Sequence, residues 1–299
     1  MNEVMIILVC LAIGVLLRLS GRLPDNTPKV LGGWVINVAL PAMALRRVHD
    51  VDVDASWVLA AATPWIGVLL AIALLLPLSR KLGWTRQRIG ALLLVAGWGN
   101  TSFVGLPMIA AFAGSQWLGL GMFIDLFGSY LALSILGIAI ATVCSGDAYS
   151  WRSVGMRIIT FPPFIAIVIA IATNHLDRPE WLETLFSTLA ATLTPLALAA
   201  VGYSLRLDHL AGRLAPLSIG LGYRLALAPA AIMAMYALLG GLDDSVARVA
   251  IFEMAMPPML GASIIALDHD LEPDLVVLLI GIGVPLSLIT APLWWSLLT

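Results

Sequence analysis

Residues Gly97–Gly114 read GWGNTSFVGLPMIAAFAG, and they decide the fold. The stretch lies within an apolar run, Ile89 to Ala113, long enough to cross a bilayer. Its middle nonetheless carries Gly97, Gly99, Asn100, Thr101, Ser102, Gly105 and Pro107. A plain membrane helix has no use for glycines, hydroxyls, an amide and a proline at its midpoint. Pro107 removes a backbone donor and is expected to push Leu106 out of helical dihedrals. Backbone groups freed in this way survive in hydrocarbon only where protein or a watery cavity covers them. Transporters with broken helices build substrate sites near the midplane by this device. A proline kink in a packed bundle helix fits the stretch as well.

Composition settles the class. Hydrophobic residues make up 61% of the 299 residues, charged residues 11%, and mean hydropathy is +0.99. A soluble domain is nearer about 25% charged, so the chain is a polytopic membrane protein embedded in a lipid bilayer. The net charge of −2 gives no sign of a nucleic-acid partner. Cys10 and Cys144 both fall in apolar runs, which predicts neither a disulfide framework nor a metal site. Glu3 and the lack of a basic leader mark the N-terminus as a first span and not a cleaved signal peptide.

Working outward from the broken run, the sequence predicts an all-α fold of ten transmembrane helices. They are Val4–Leu19, Val30–Leu45, Trp57–Leu78, the interrupted fourth span, Trp117–Cys144, Val154–Thr173, Thr184–Leu205, Ala215–Leu239, Val246–Leu267 and Asp274–Leu298. Each suits a hydrocarbon core of about 30 Å. Of the sixteen Lys and Arg residues, four (Arg46, Arg47, Arg178, Arg248) fall in loops on the side of the termini. Eleven fall on the other side, among them Arg80, Lys81, Arg86 and Arg88, and Arg224 lies within a span. Positive charge marks the cytoplasmic face. Both termini of this multi-pass protein are therefore expected outside, facing the periplasm or exterior.

Prolines recur at matched places. Pro41 lies in the second span and Pro107 in the fourth, while Pro195 lies in the seventh and Pro257 and Pro258 in the ninth. The chain then divides into two five-span repeats, residues 1–148 and 149–299. An odd number of spans inverts the second repeat relative to the first.

Asn100, Thr101 and Ser102 stand about 18 Å along their span at 1.5 Å per residue. Their amide and hydroxyls can hydrogen-bond a small solute, and half-helix N-termini favour an anion there. They can equally bond neighbouring helices. Asp125, Glu253 and Arg224 are the ionisable residues deep inside spans, where charge is expensive and marks function. One acid is expected to pair with Arg224, and the surplus carboxylate offers a proton-coupling site. Trp34, Trp57, Trp84, Trp117, Trp151, Trp294 and Trp295 read as an interfacial belt. His49, His175, His209 and His269 fall in loops without metal-ligand spacing. With no Walker loop, Gly-x-Ser-x-Gly or zincin motif, neither an ATP-driven pump nor a familiar hydrolase is expected, and no cofactor.

These motifs resemble the auxin efflux carrier family, which includes plant PIN-type carriers and bacterial organic-acid transporters. Asn100-Thr101-x-x-x-Gly105-x-Pro107 is similar to its fourth-span crossover, and Ala255-Met256-Pro257 to its ninth. Span 2, with Asn37 and Leu40-Pro41, and the run from Glu272-Pro273-Asp274 through Pro285 to Pro292 also fit. The resemblance implies two inverted repeats, with spans 1, 2, 6 and 7 forming a dimerising scaffold. Spans 3–5 and 8–10 would form a mobile transport domain that carries organic anions by an elevator motion. Substrate carboxylates would bind where spans 4 and 9 cross, near Asn100, making the chain a transporter and not an enzyme. The chain departs from plant members in its minimal central loop, Ser145–Arg152, and in Glu253 ahead of the ninth-span proline. Auxin-like acids and other carboxylates both remain open as substrates, and protons or sodium as coupling ion. Two alternatives stand beside this reading: a sodium-coupled symporter resembling the bile-acid carriers, and a membrane receptor that kept the fold without transport.

Overall fold

The computed structural model describes residues 2–47, 55–146, 152, 156, 159–173, 176, 178–205, 212–242 and 244–299. Asp50, Asp52, Asp54, His49, Trp151, Arg157, His175, Arg206, Asp208 and His209 lie outside the described residues. Those described are helical throughout, apart from short connections and one isolated β-bridge.

The helices are α1 (Asn2–Leu19), α2 (Thr27–Arg46), α3 (Ala55–Lys81), α4 (Arg86–Gly97), α5 (Thr101–Phe112), α6 (Ser115–Ser145), α7 (Pro162–Ala172), α8 (Glu180–Ser204), α9 (Leu214–Leu238), α10 (Ser245–Met254), α11 (Leu260–Asp268) and α12 (Pro273–Leu298). Six of them, α2, α3, α6, α8, α9 and α12, are long and apolar enough to cross a membrane. Their starts follow ordinary capping chemistry. Thr85 Oγ1 accepts from Arg88 N at 3.2 Å at the head of α4, and Asp244 Oδ1 accepts from Val246 N at 3.0 Å at the head of α10. Gly146, at φ +88°, ends α6 in the left-handed conformation that glycine adopts without strain.

Packing sorts most of the helices into two groups, with α5 touching both, against α1 and α8 on one side and α6 on the other. α1 and α2 both lie against α8, and α2 also lies against α7. Gly14 and Gly202 bring α1 and α8 together: a Cβ at either would collide with a backbone carbonyl, of Ala199 or of Leu11. In the second group α3 lies against α4, α6 and α10, and α4 against α6, α11 and α12. α9 lies against α10 and α12. An ion-pair cluster ties the heads of three of these helices. Arg88 Nε and Nη2 donate to Glu272 at 2.9 and 2.8 Å, and Arg213 Nη2 donates to Asp274 at 2.7 Å.

Several helices widen locally into π turns. Three of these end two residues before a proline: Val35–Ala39 before Pro41, Thr101–Gly105 before Pro107, and Tyr223–Leu227 before Pro229. A proline ring clashes with the carbonyl four residues back, and the wider turn relieves that clash without ending the helix. Leu106 is accordingly helical, at φ −58° and ψ −46°, against the sequence expectation. Tryptophans serve carbonyls in the π turns. Trp294 Nε1 donates to Leu225 O at 2.8 Å and Trp65 Nε1 to Phe127 O at 3.0 Å. Trp294 is thus an internal donor as well as a residue near a helix end. Trp57 and Trp295 pack edge-on against Phe123 and Phe252 at 5.5 and 5.0 Å.

Candidate functional site at the crossing of two broken helices

The fourth span breaks at residues 98–100, not at Pro107. Gly97 ends α4, Trp98 turns extended at φ −104° and ψ 140°, and Asn100 opens α5. The ninth span breaks between Met254 and Leu260. The two breaks cross and pair as a two-residue antiparallel bridge, Gly99 with Pro258. Asn100 N donates to Pro257 O at 2.7 Å, and Met259 N donates to Trp98 O at 3.1 Å. Backbone groups that the breaks release are satisfied across the crossing, as a low-dielectric interior requires.

Asn100 is 2% exposed and has two functions to divide between its amide atoms. Its Oδ1 accepts from Phe103 N at 3.1 Å and caps α5. Its Nδ2 is buried without a hydrogen-bond partner among the described residues, as is Trp98 Nε1 two residues earlier. Thr101 and Ser102 turn their hydroxyls to Asp125 Oδ1, Ser102 at 2.6 Å. Ser129 Oγ lies 3.0 Å from Thr101 Oγ1. Asp125 is therefore held by hydroxyl donors.

Arg224 is buried close enough to Glu253 for their charges to interact, but it makes no salt bridge within 4.0 Å with Glu253 or Asp125. Its Nη1 donates to Gly97 O at 3.3 Å and its Nη2 to Met254 O. These are the last carbonyls of α4 and α10, the two half-helix C-termini. Such carbonyls lack intrahelical partners and carry partial negative charge, which is what a buried guanidinium needs. Glu253 is fully buried, and both its oxygens lack a hydrogen-bond partner among the described residues. Its carboxylate lies against Gly105 and Gly121. A Cβ at Gly105 would collide with Oε2 and stand 2.9 Å from Oε1, and one at Gly121 would stand 3.5 Å from Oε1.

Asn100, Thr101, Ser102, Gly105, Pro257, Pro258, Asp125, Glu253 and Arg224 thus gather around one crossing. Pro107 lies just past it, in the first turn after the α5 π turn. Asn37 does not join them: it is exposed, and its Nδ2 donates to Gly33 O of its own helix at 2.8 Å. Sequence reasoning missed Trp98, Ser129 and Gly121. Ser129 follows Asp125 by four residues, a spacing that puts both on one helix face. A cavity of about 500 Å³ opens nearby, between the head of α2 (Asp25, Asn26, Lys29), the end of α8 (Ser204), α11 (Leu260, Ser263) and α12. Leu260 begins α11, so this cavity reaches the edge of the crossing.

A family model described as membrane transport protein matches residues 1–295 of the chain. The chain is 27% identical over 298 residues to an uncharacterized transporter of Methanothermobacter thermautotrophicus, covering 98% of this chain and 96% of that one. It is 25% identical over 313 residues to an uncharacterized transporter of Methanocaldococcus jannaschii, covering 100% and 99%.

Proposed function

The chain belongs to the membrane transport protein family, the auxin efflux carriers that its motifs resemble, and on that premise we propose that it is an elevator-type secondary transporter of small organic anions. The substrate is a carboxylate or auxin-like acid, held where the fourth and ninth spans cross. One observation carries the reading: the buried Asn100 Nδ2 has no partner among the described residues, at the head of a half-helix. An unmet buried donor costs about 1–3 kcal/mol, and a carboxylate oxygen would remove that cost. Trp98 Nε1 and the α5 and α11 N-termini favour the same charge.

The finer architecture belongs to the same proposal. Ten spans form two inverted repeats, 1–148 and 149–299, with both termini outside a bacterial inner membrane. α1, α2, α7 and α8 are the scaffold and the homodimer surface, and α3–α6 with α9–α12 are the moving body. The two packing groups support this division, as does the cavity along their boundary. A proton or sodium ion is the coupling ion, and Asp125 and Glu253 are the residues that would sense it.

The test uses Asn100→Asp. Aspartate caps a helix as well as asparagine does, but its charge costs stability at this buried position, so each protein's shift is read against its own ligand-free melting temperature. The variant replaces the amide donor by an anion. A panel of small carboxylates, from acetate to indole-acetate, is screened by thermal shift, and the best ligand is then measured for flux in proteoliposomes. The expected result is a shift in the wild type and its loss in Asn100→Asp. A carboxylate that stabilises both proteins equally puts the site elsewhere.

A further inference from the structure

We propose that Arg224 is a tethered cation, standing where broken-helix carriers coordinate a coupling sodium, so that this crossing needs no sodium. The inference rests on the crossing being the transport site. In transporters with broken helices, half-helix C-terminal ends and unwound carbonyls are the groups that coordinate the ion. Here those groups are Gly97 O and Met254 O, and both accept from the Arg224 guanidinium. A helix C-terminus carries about half an elementary negative charge. Two such ends sum to about one, which a single fixed cation cancels. Arg224 is 1% exposed and rises from the π turn Tyr223–Leu227. Tyr223 beside it anchors that turn by donating to Gly67 O. Asp125 draws on hydroxyls and Glu253 acts on Arg224 through charge alone, so the carbonyl ends are the groups to which Arg224 donates its hydrogen bonds. Sodium would need the same oxygens and would meet a like charge beside them.

Arg224 is on this view a positioning residue that substitutes for an ion. The experiment needs no substrate: melting temperatures of purified protein in sodium, potassium and choline chloride at equal ionic strength. The wild type should melt at one temperature in all three salts. Arg224→Ala should melt several degrees lower in choline and recover part of the loss in sodium, because the freed carbonyls can take up an ion. Arg224→Lys keeps the charge and should stay near the wild type, indifferent to sodium. Arg224→Gln keeps hydrogen-bond donors without charge and should fall. A wild type stabilised by sodium over potassium overturns the proposal. So does a folded Arg224→Ala that melts alike in every salt. If Arg224→Ala does not fold, equal melting of the Lys and Gln variants overturns it. None of these outcomes touches the carboxylate response of Asn100, so the two readings fail separately.

Discussion

Gly105 gives a prediction whose sign depends on its partner. The residue is helical, at φ −60° and ψ −53°, so glycine is not there for its backbone freedom. In an exposed helix, replacing it by alanine would gain about 1 kcal/mol of propensity. Here the new methyl would overlap Oε2 of the buried Glu253 and stand 3.0 Å from its Cδ. Overpacking a tight core costs about 1–3 kcal/mol. The carboxylate is the free end of a flexible side chain, which argues for the lower half of that range. It is also fully buried and faces Gly121 on another side, so it has little room to retreat. Gly105→Ala should therefore destabilise by about 0–2 kcal/mol net of the propensity gain. In a Glu253→Ala background the clash disappears, and the same substitution should stabilise by up to about 1 kcal/mol. The four proteins form a double-mutant cycle, with coupling expected within the range of about 0.5–3 kcal/mol found for touching residues. Melting followed by intrinsic tryptophan fluorescence in detergent reads it. Destabilisation of equal size in both backgrounds would refute the cradle and return Gly105 to a backbone role.

Two further outcomes follow. Glu253→Gln keeps size and burial but cannot exchange a proton, so flux that follows a pH gradient in the wild type should lose that dependence. If the gradient dependence survives, Asp125 or a group outside the crossing carries the coupling. For topology, a cysteine in place of Lys81 should resist an impermeant thiol reagent in intact cells, and one in place of Thr299 should react, both without Cys10 and Cys144. The reverse pattern would invert the orientation read from the basic loops.

The membrane class and the existence of a break in the helix that carries Asn100 were legible in composition and in Gly97–Gly114. The position of the break was not. Local rules assign it to Gly105 and Pro107, which are strong backbone punctuators. Residues 98–100 are held instead by Pro257 and Pro258, far away in the chain, and single-sequence rules cannot see a bridge of that kind. Pro107 is absorbed by a π turn, as Pro41 and Pro229 are, whereas Pro64 and Pro77 lie within α3 with no π turn before them. Charge counting was incomplete for a related reason. It offered Arg224 only carboxylates, the visible anions of a sequence, while its hydrogen bonds go to carbonyls at helix ends and Glu253 acts on it through charge alone.

The distribution of unmet polar groups carries the functional argument further than any single residue. Much of the backbone at the breaks and π turns is satisfied: Asn100 caps α5, Trp294 and Trp65 serve π-turn carbonyls, and Arg224 serves two helix ends. Trp98 Nε1, Asn100 Nδ2, Arg224 Nε and both Glu253 oxygens lack a partner among the described residues, and all belong to the crossing. Beyond it, Tyr236 and Thr290 each contribute one such hydroxyl. Each unmatched buried group costs kilocalories, so donors and acceptors left together at one point support the substrate site proposed there. The Asn100 and Trp98 donors call for an anion. The Glu253 oxygens call for a proton or a donor, which a bare carboxylate does not bring. An anion that travels with its proton answers both, and the Glu253→Gln flux experiment asks whether it does.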